Sequence, residues 1–149
     1  MKLSTRGRYG LKAMVDLAMA YGGGPVSIST LAAQQSISDA YLEQLIGALR
    51  KAGLVCSSRG VQGGYTLSRP PREINVGEVL KVLEGSTTVI DCVSSDKVEC
   101  GNACSCSARP LWLKLQAGIN EVLTATTLQD MADDYKTQME RVNDEKSLS

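Results

Sequence analysis

One stretch, Ser27 to Leu67, constrains the fold more than any other. It specifies two short helices, a tight turn and a glycine-rich hairpin in succession. Ser27 caps a short helix that runs to Gln34, and Gln35 to Ile37 make the turn. Ser38 then caps a helix from Asp39 to about Lys51, along which Tyr41, Leu42, Leu45, Ile46 and Leu49 recur as an apolar stripe. Gly53 ends it. Leu54–Cys56 and Gly64–Leu67 are β-prone, and the polar, glycine-bearing segment Ser57–Gly63 joins them as a hairpin whose tip carries Arg59. Two helices across a tight turn followed by such a hairpin read as a winged helix-turn-helix.

The flanking sequence is helical. Ser4 or Thr5 opens a helix in which Leu11, Met14, Val15, Ala18 and Met19 share a face, and Gly22-Gly-Gly-Pro25 closes it. After Pro70-Pro71, a helix is expected from Ile74 to Glu84, stopped by Gly85. Pro110 suits the first turn of a long helix with Leu111, Trp112, Leu115, Ile119, Val122 and Leu123 on one stripe. A last helix is expected from Leu128 to near Arg141. The fold class is therefore mainly α with a small β-hairpin wing. Residues 1–72 form the winged helix-turn-helix domain and 73–90 a connecting helix. Residues 91–108 form a cysteine-rich loop, 109–142 a dimerisation helix and a C-terminal helix, and 143–149 a disordered tail. With no Phe and one Trp, the core should be aliphatic.

Net charge is zero but unevenly spread. Residues 1–72 hold nine Lys/Arg against three acids, a net +6, and the remainder carries −6. A basic half points to a polyanion partner. His is absent, which removes Ser-His-Asp and Cys-His catalysis and His-bearing zinc sites. No Gly-rich phosphate loop ending in Gly-Lys-Ser/Thr occurs. An enzyme is not expected. No apolar run resembles a signal peptide or a membrane span, so a reducing, cytoplasmic setting and no membrane partner are expected.

On the Asp39–Lys51 helix, Tyr41, Glu43 and Gln44 stand where a recognition helix meets base edges. Gln pairs with adenine and Glu accepts from cytosine N4. Arg59 at the wing tip could enter a minor groove. Arg6, Arg50 and Lys51 supply further positive charge for duplex DNA.

Four cysteines fall within fifteen residues: Cys92, Cys100, Cys104 and Cys106. Their spacing, C-x7-C-x3-C-x-C, matches neither a zinc ribbon nor a ferredoxin run. Clustered soft thiolates in a polar loop favour a metal or an iron–sulfur cluster, with redox-active thiols as the alternative. Cys56 stands apart and is expected to be a small buried hydrophobe.

Taken in order, these elements resemble the IscR-like iron–sulfur cluster regulators and their superfamily of small winged-helix transcription regulators. The resemblance is carried by residues 1–10, 13–18, 41–45 and 49–55, by Arg59-Gly60 with Gly63-Gly-Tyr65, and by Val76–Val79, Leu111-Trp112 and Thr127-Leu128. It spans about residues 1–131. It implies a homodimer whose long helices cross, bound to a double-stranded DNA operator, with a cluster-holding loop before the long helix. By position, Tyr41, Glu43 and Gln44 match recognition residues and Arg59 the wing residue. Ala40 replaces a serine found in the best-known members. Cys92, Cys100 and Cys106 match the first to third cluster ligands. The family's fourth ligand, a histidine three residues before the tryptophan, is here Arg109, which cannot ligate iron; Cys104 is then a candidate, with a carboxylate or a residue of the other subunit as the alternatives. The cofactor implied is a 2Fe–2S cluster, with 4Fe–4S as the other nuclearity, supplied by iron–sulfur assembly machinery. The implied function is a cluster-sensing repressor of cluster-assembly genes. A metal-free thiol or cysteine-metabolism regulator on the same scaffold remains an alternative, as does a small electron-transfer protein.

Overall fold

The computed structural model describes residues 3–88 and 106–148. Six helices and one hairpin make up these residues: α1 (Thr5–Met19), α2 (Ile28–Gln35), α3 (Asp39–Lys51), β1 (Val55–Ser58), β2 (Gly64–Leu67), α4 (Val76–Glu84), α5 (Arg109–Ala125) and α6 (Leu128–Ser147). A 3-10 turn, Pro71–Glu73, precedes α4.

The helix boundaries follow from local chemistry. Ser4, Ser27 and Ser38 each accept a hydrogen bond from the backbone N–H three residues on, capping α1, α2 and α3. The α2–α3 turn is a Schellman closure. Ile37 N–H returns to Ala32 O and Ser36 N–H to Ala33 O, while Ser36 takes the left-handed conformation at φ 55°. α3 ends by the same device with glycine in the left-handed seat: Gly53 has φ 82°, and Leu54 N–H bonds Leu49 O.

β1 and β2 pair antiparallel, with Val55 opposite Leu67 and Ser58 opposite Gly64. A lone two-stranded hairpin is marginal. Here Val26 bridges the other edge of β2, exchanging both backbone hydrogen bonds with Tyr65 at 2.8 and 2.9 Å. A Cβ on Gly64 would overlap the Val26 carbonyl, so this approach needs glycine.

The core is aliphatic, as expected from the lack of Phe. Met14, Leu31, Leu42, Leu45, Ile46, Leu49, Ile74 and Leu128 are fully buried. It does not stop at the expected domain boundary of residue 72, because Ile74, Val79, Leu83, Leu128 and Ala132 belong to the same cluster. α1 has α4 on one flank and α6 on another. α4 comes so close that Gly10 faces Leu83 and Gly7 faces Glu84 where a Cβ would stand.

Two boundaries differ from expectation. Ile74 is extended rather than helical (φ −113°, ψ 116°). It is buried by strand-like pairing, with its carbonyl accepting from Leu128 N–H at 2.9 Å. Asn75 caps α4 in a capping box with Glu78, and that box starts the helix two residues later than apolar periodicity suggests. Arg69 braces the box from outside, 3.0 Å from Glu78. Partial desolvation alone would raise the Glu78 pKa. The Asn75 N–H and Arg69 together outweigh it and hold the carboxyl below its usual value. At the other end, α6 runs to Ser147, past the end near Arg141 and through most of the segment expected to be a disordered tail. Asn143 to Ser147 contain no Gly or Pro to stop it.

Candidate nucleic-acid interface and cysteine segment

α3 is sharply two-sided. Leu42, Leu45, Ile46 and Leu49 face the core. On the opposite side Ala40, Glu43, Gln44 and Lys51 are exposed, with Gly47 between them. Positions three and four apart share a helix face, so these residues form one outward stripe. Ala40 and Gly47 keep it low, since nothing lies within 4 Å of a Cβ built on Gly47. A low face bearing the Glu43 carboxylate and the Gln44 carboxamide suits insertion into a major groove.

Tyr41 behaves differently from Glu43 and Gln44. It is half-buried and packed on the core, and its ring meets Tyr9 of α1 edge-on at 6.5 Å and 83°. Lys12 Nζ sits 5.3 Å from the Tyr9 ring centroid. The first turn of α3 is also held from α2, where Ser29 Oγ donates to Asp39 Oδ2 at 2.9 Å.

Arg50 and Lys51 are exposed in the last turn of α3, where cations complement the helix C-terminus. Arg50 Nη1 also reaches β1, donating to Ser57 Oγ at 3.3 Å, and so ties helix to wing. Arg59 is exposed at the wing, beside Gly60 at φ 108°. Arg6 is exposed in the first turn of α1. Arg8 instead lines an open groove between α1 and α6 whose floor includes Leu11, Val15, Met131 and Tyr135.

Of the four clustered cysteines, Cys106 alone is among the described residues; Cys92, Cys100 and Cys104 lie outside them. Cys106 is half-buried just before α5, and its carbonyl accepts from Arg109 N–H at 3.3 Å. Among the described residues no three Cys, Asp or Glu come together as a metal site. The segment leaves α4 at Gly85. Just beyond, Gln116 of α5, itself buried, donates to the Thr87 carbonyl at 3.2 Å. Both stems of the cysteine segment are thus attached to α5.

Cys56 is exposed, contrary to the expectation of burial. The cause is period-two alternation. Val55 and Leu67 are a buried cross-strand pair, so Cys56 and its partner Thr66 belong to the other face of the hairpin.

α5 presents apolar surface that the described residues leave exposed. Leu111, Leu115 and Val122 are 52, 41 and 63% exposed, and Gln116 is the one buried residue of the helix. No described helix is long and apolar enough to cross a membrane.

Comparison with known proteins gives consistent likenesses. The Rrf2 family model, described as an iron-dependent transcriptional regulator, matches residues 3–134. The HTH-type transcriptional regulator CymR of Bacillus subtilis is 41% identical over 132 residues, covering 89% of this chain and 90% of that protein. The solved structure of CymR, described as the global cysteine regulator of B. subtilis, superposes with a TM-score of 0.76 at 42% identity over 89% of this chain and 97% of that one. The structure of T. potens IscR gives a TM-score of 0.71 at 44% identity, covering 91% and 88%.

Proposed function

This chain belongs to the Rrf2 family of transcriptional regulators, and from that premise we propose that it is an iron–sulfur-cluster-sensing, DNA-binding regulator, acting as a repressor of cluster-assembly genes. The observation that carries the sensing part is the concentration of four thiols in the segment between α4 and α5. That donor set fits a 2Fe–2S or 4Fe–4S cluster: thiolates are its ordinary ligands, and a chain without His has no imidazole to offer in their place. Cys92, Cys100, Cys106 and Cys104 would hold it, and when bound it would supply a redox-active, removable cross-link. Iron–sulfur assembly machinery would donate it.

In this reading Glu43 and Gln44 read bases, Arg59 enters the minor groove, and Arg6, Arg50 and Lys51 neutralise phosphate. Tyr41 joins them with its hydroxyl end, its ring being engaged by Tyr9. The uncovered α5 stripe supports a homodimer joined through that helix, which would set two recognition helices on one operator. A DNA-bound regulator works beside the chromosome, hence in the cytoplasm of a bacterium.

The chain's own residues account for the coupling. Gln116 and Cys106 fasten the segment's stems to α5, so a cluster held by the segment would act on the same helix that would join the protomers. Such a ligand shifts DNA affinity only by binding the competent and incompetent states unequally.

A second reading, control of cysteine metabolism without a cluster, is favoured by the likeness to CymR. Anaerobic purification with iron and sulfide analysis separates the two. The cluster reading expects visible absorbance that is lost when Cys92, Cys100 or Cys106 is changed to Ala, together with unequal operator affinity of loaded and stripped protein. A colourless protein that also resists anaerobic reconstitution would favour the thiol reading.

A further inference from the structure

A recognition helix works only if it is held at a fixed angle to the rest of its domain, and one support of α3 can be followed across the molecule. The Tyr41 ring rests on Tyr9, so the placement of α1 bears on the first turn of α3. α1 is in turn fastened at its own N-terminus by a residue far away in sequence. Glu84, the last residue of α4, accepts two hydrogen bonds at Oε1, from Ser4 N–H at 2.9 Å and from Ser4 Oγ at 2.7 Å. Ser4 Oγ also accepts from Gly7 N–H at 3.2 Å. The carboxylate occupies the space a Cβ on Gly7 would need. A carboxylate there also meets the positive end of the α1 dipole.

We propose that Glu84 is a positioning residue for DNA binding: by fixing the first turn of α1 it places Tyr9, and through Tyr9 the Tyr41 end of the recognition helix. The proposal rests on the DNA-binding reading. Glu84 is assigned no contact with DNA. Removing it should therefore weaken affinity without removing a phosphate contact.

The test uses the full chain and a duplex of about 30 base pairs, enriched by the wild-type protein from a random pool, long enough for two half-sites about 10 base pairs apart. Affinity is read by fluorescence anisotropy over a salt series, with the active fraction fixed by stoichiometric titration. Glu84→Ala should weaken binding by about tenfold, the range of mutations along a coupled contact route. The slope of log affinity on log salt should stay at its wild-type value, because that slope counts phosphates neutralised. Glu84→Gln keeps an oxygen that can accept from Ser4 and should restore affinity to within about threefold of wild type, losing mainly the dipole contribution. Added to Tyr9→Leu, Glu84→Ala should have little further effect, since the two act in series. Should Glu84→Ala not fold, Ser4→Ala removes the Oγ arm together with the cap on Gly7 N–H, keeps the backbone arm, and should weaken binding by about threefold. Glu84→Ala affinity within twofold of wild type, full additivity with Tyr9→Leu, or a changed salt slope would each overturn the proposal. A wild type that enriches no duplex would overturn the DNA-binding reading, and this inference with it.

Discussion

Gly10 and Gly47 should respond in opposite directions to the same substitution. Each lies inside a helix, and replacing an interior glycine by alanine gains about 0.8–1.0 kcal/mol from propensity alone. At Gly47 nothing lies within 4 Å of the new methyl, so Gly47→Ala should stabilise the fold by about 1 kcal/mol. At Gly10 the methyl would overlap Leu83 Cδ1 and lie 2.9 Å from Cδ2 and 3.2 Å from Cγ. Leu83 is 5% exposed and packed in the main core, so it cannot swing into solvent. Overpacking of this kind costs about 1–3 kcal/mol. Offset by the propensity gain, Gly10→Ala should destabilise by about 1 kcal/mol, so the two variants should lie about 2 kcal/mol apart. Urea unfolding followed by far-UV circular dichroism, at one fixed protomer concentration, measures both. Equal stabilisation by both substitutions would refute the close packing of α1 on α4.

Other expectations can be checked on the same protein. Ser36→Gly should stabilise by about 0.5–1 kcal/mol, since the left-handed seat costs a non-glycine residue about 1–2 kcal/mol and glycine's extra unfolded-state freedom returns part of it; a loss in urea midpoint would refute this. Burial raises the Asp16 pKa, and the hydrogen bond from Gln35 offsets only part of the rise. The folded state therefore holds that proton more tightly than the unfolded chain. Stability from this group is fully present below the unfolded value and is lost as pH rises through the folded one. Asp16→Asn should consequently be more stable than wild type at neutral pH, with the gap closing in acid; a gap independent of pH would refute the assignment. Arg59→Ala should weaken operator binding by about 1–3 kcal/mol if the wing enters the minor groove, measured by anisotropy; unchanged affinity would place the wing off the DNA. Val122→Glu should lower the apparent mass in sedimentation if the α5 stripe joins two protomers, and an unchanged dimer would remove that role.

The elements that were legible in the sequence are those encoded within a few residues. Ser27 and Ser38 precede apolar periodicity as caps, and Gly53 holds a left-handed position that glycine fills without strain. The α3 boundaries are those expected from the sequence for this reason. The Asn75–Glu78 box was also written locally, as Asn-x-x-Glu, but the apolar Ile74 beside it drew the expected start too early. Cys56 follows two hydrophobic residues, and only strand pairing shows that alternation turns it outward. Tyr41 fits both a core stripe and a recognition face, and the Tyr9 contact that engages its ring joins residues far apart in the chain. The Glu84–Ser4 hydrogen bonds span 80 residues and leave no periodic trace. For the candidate site, the exposed α3 face follows from helix period alone, whereas three of the four clustered cysteines lie outside the described residues.

The outward position of Cys56 has a practical consequence for chemistry on this molecule. Its thiol lies on the wing strand and outside the cysteine segment, so a soluble thiol reagent should titrate it whether or not the segment's thiols are engaged. Each chain thus carries its own calibrant: the Cys56 equivalent, identified by its loss in Cys56→Ser, is the unit against which reaction of the clustered thiols is counted. The same atom gives an attachment point for a fluorophore on the wing strand, two residues before the strand ends at Ser58, where a label can report groove contact.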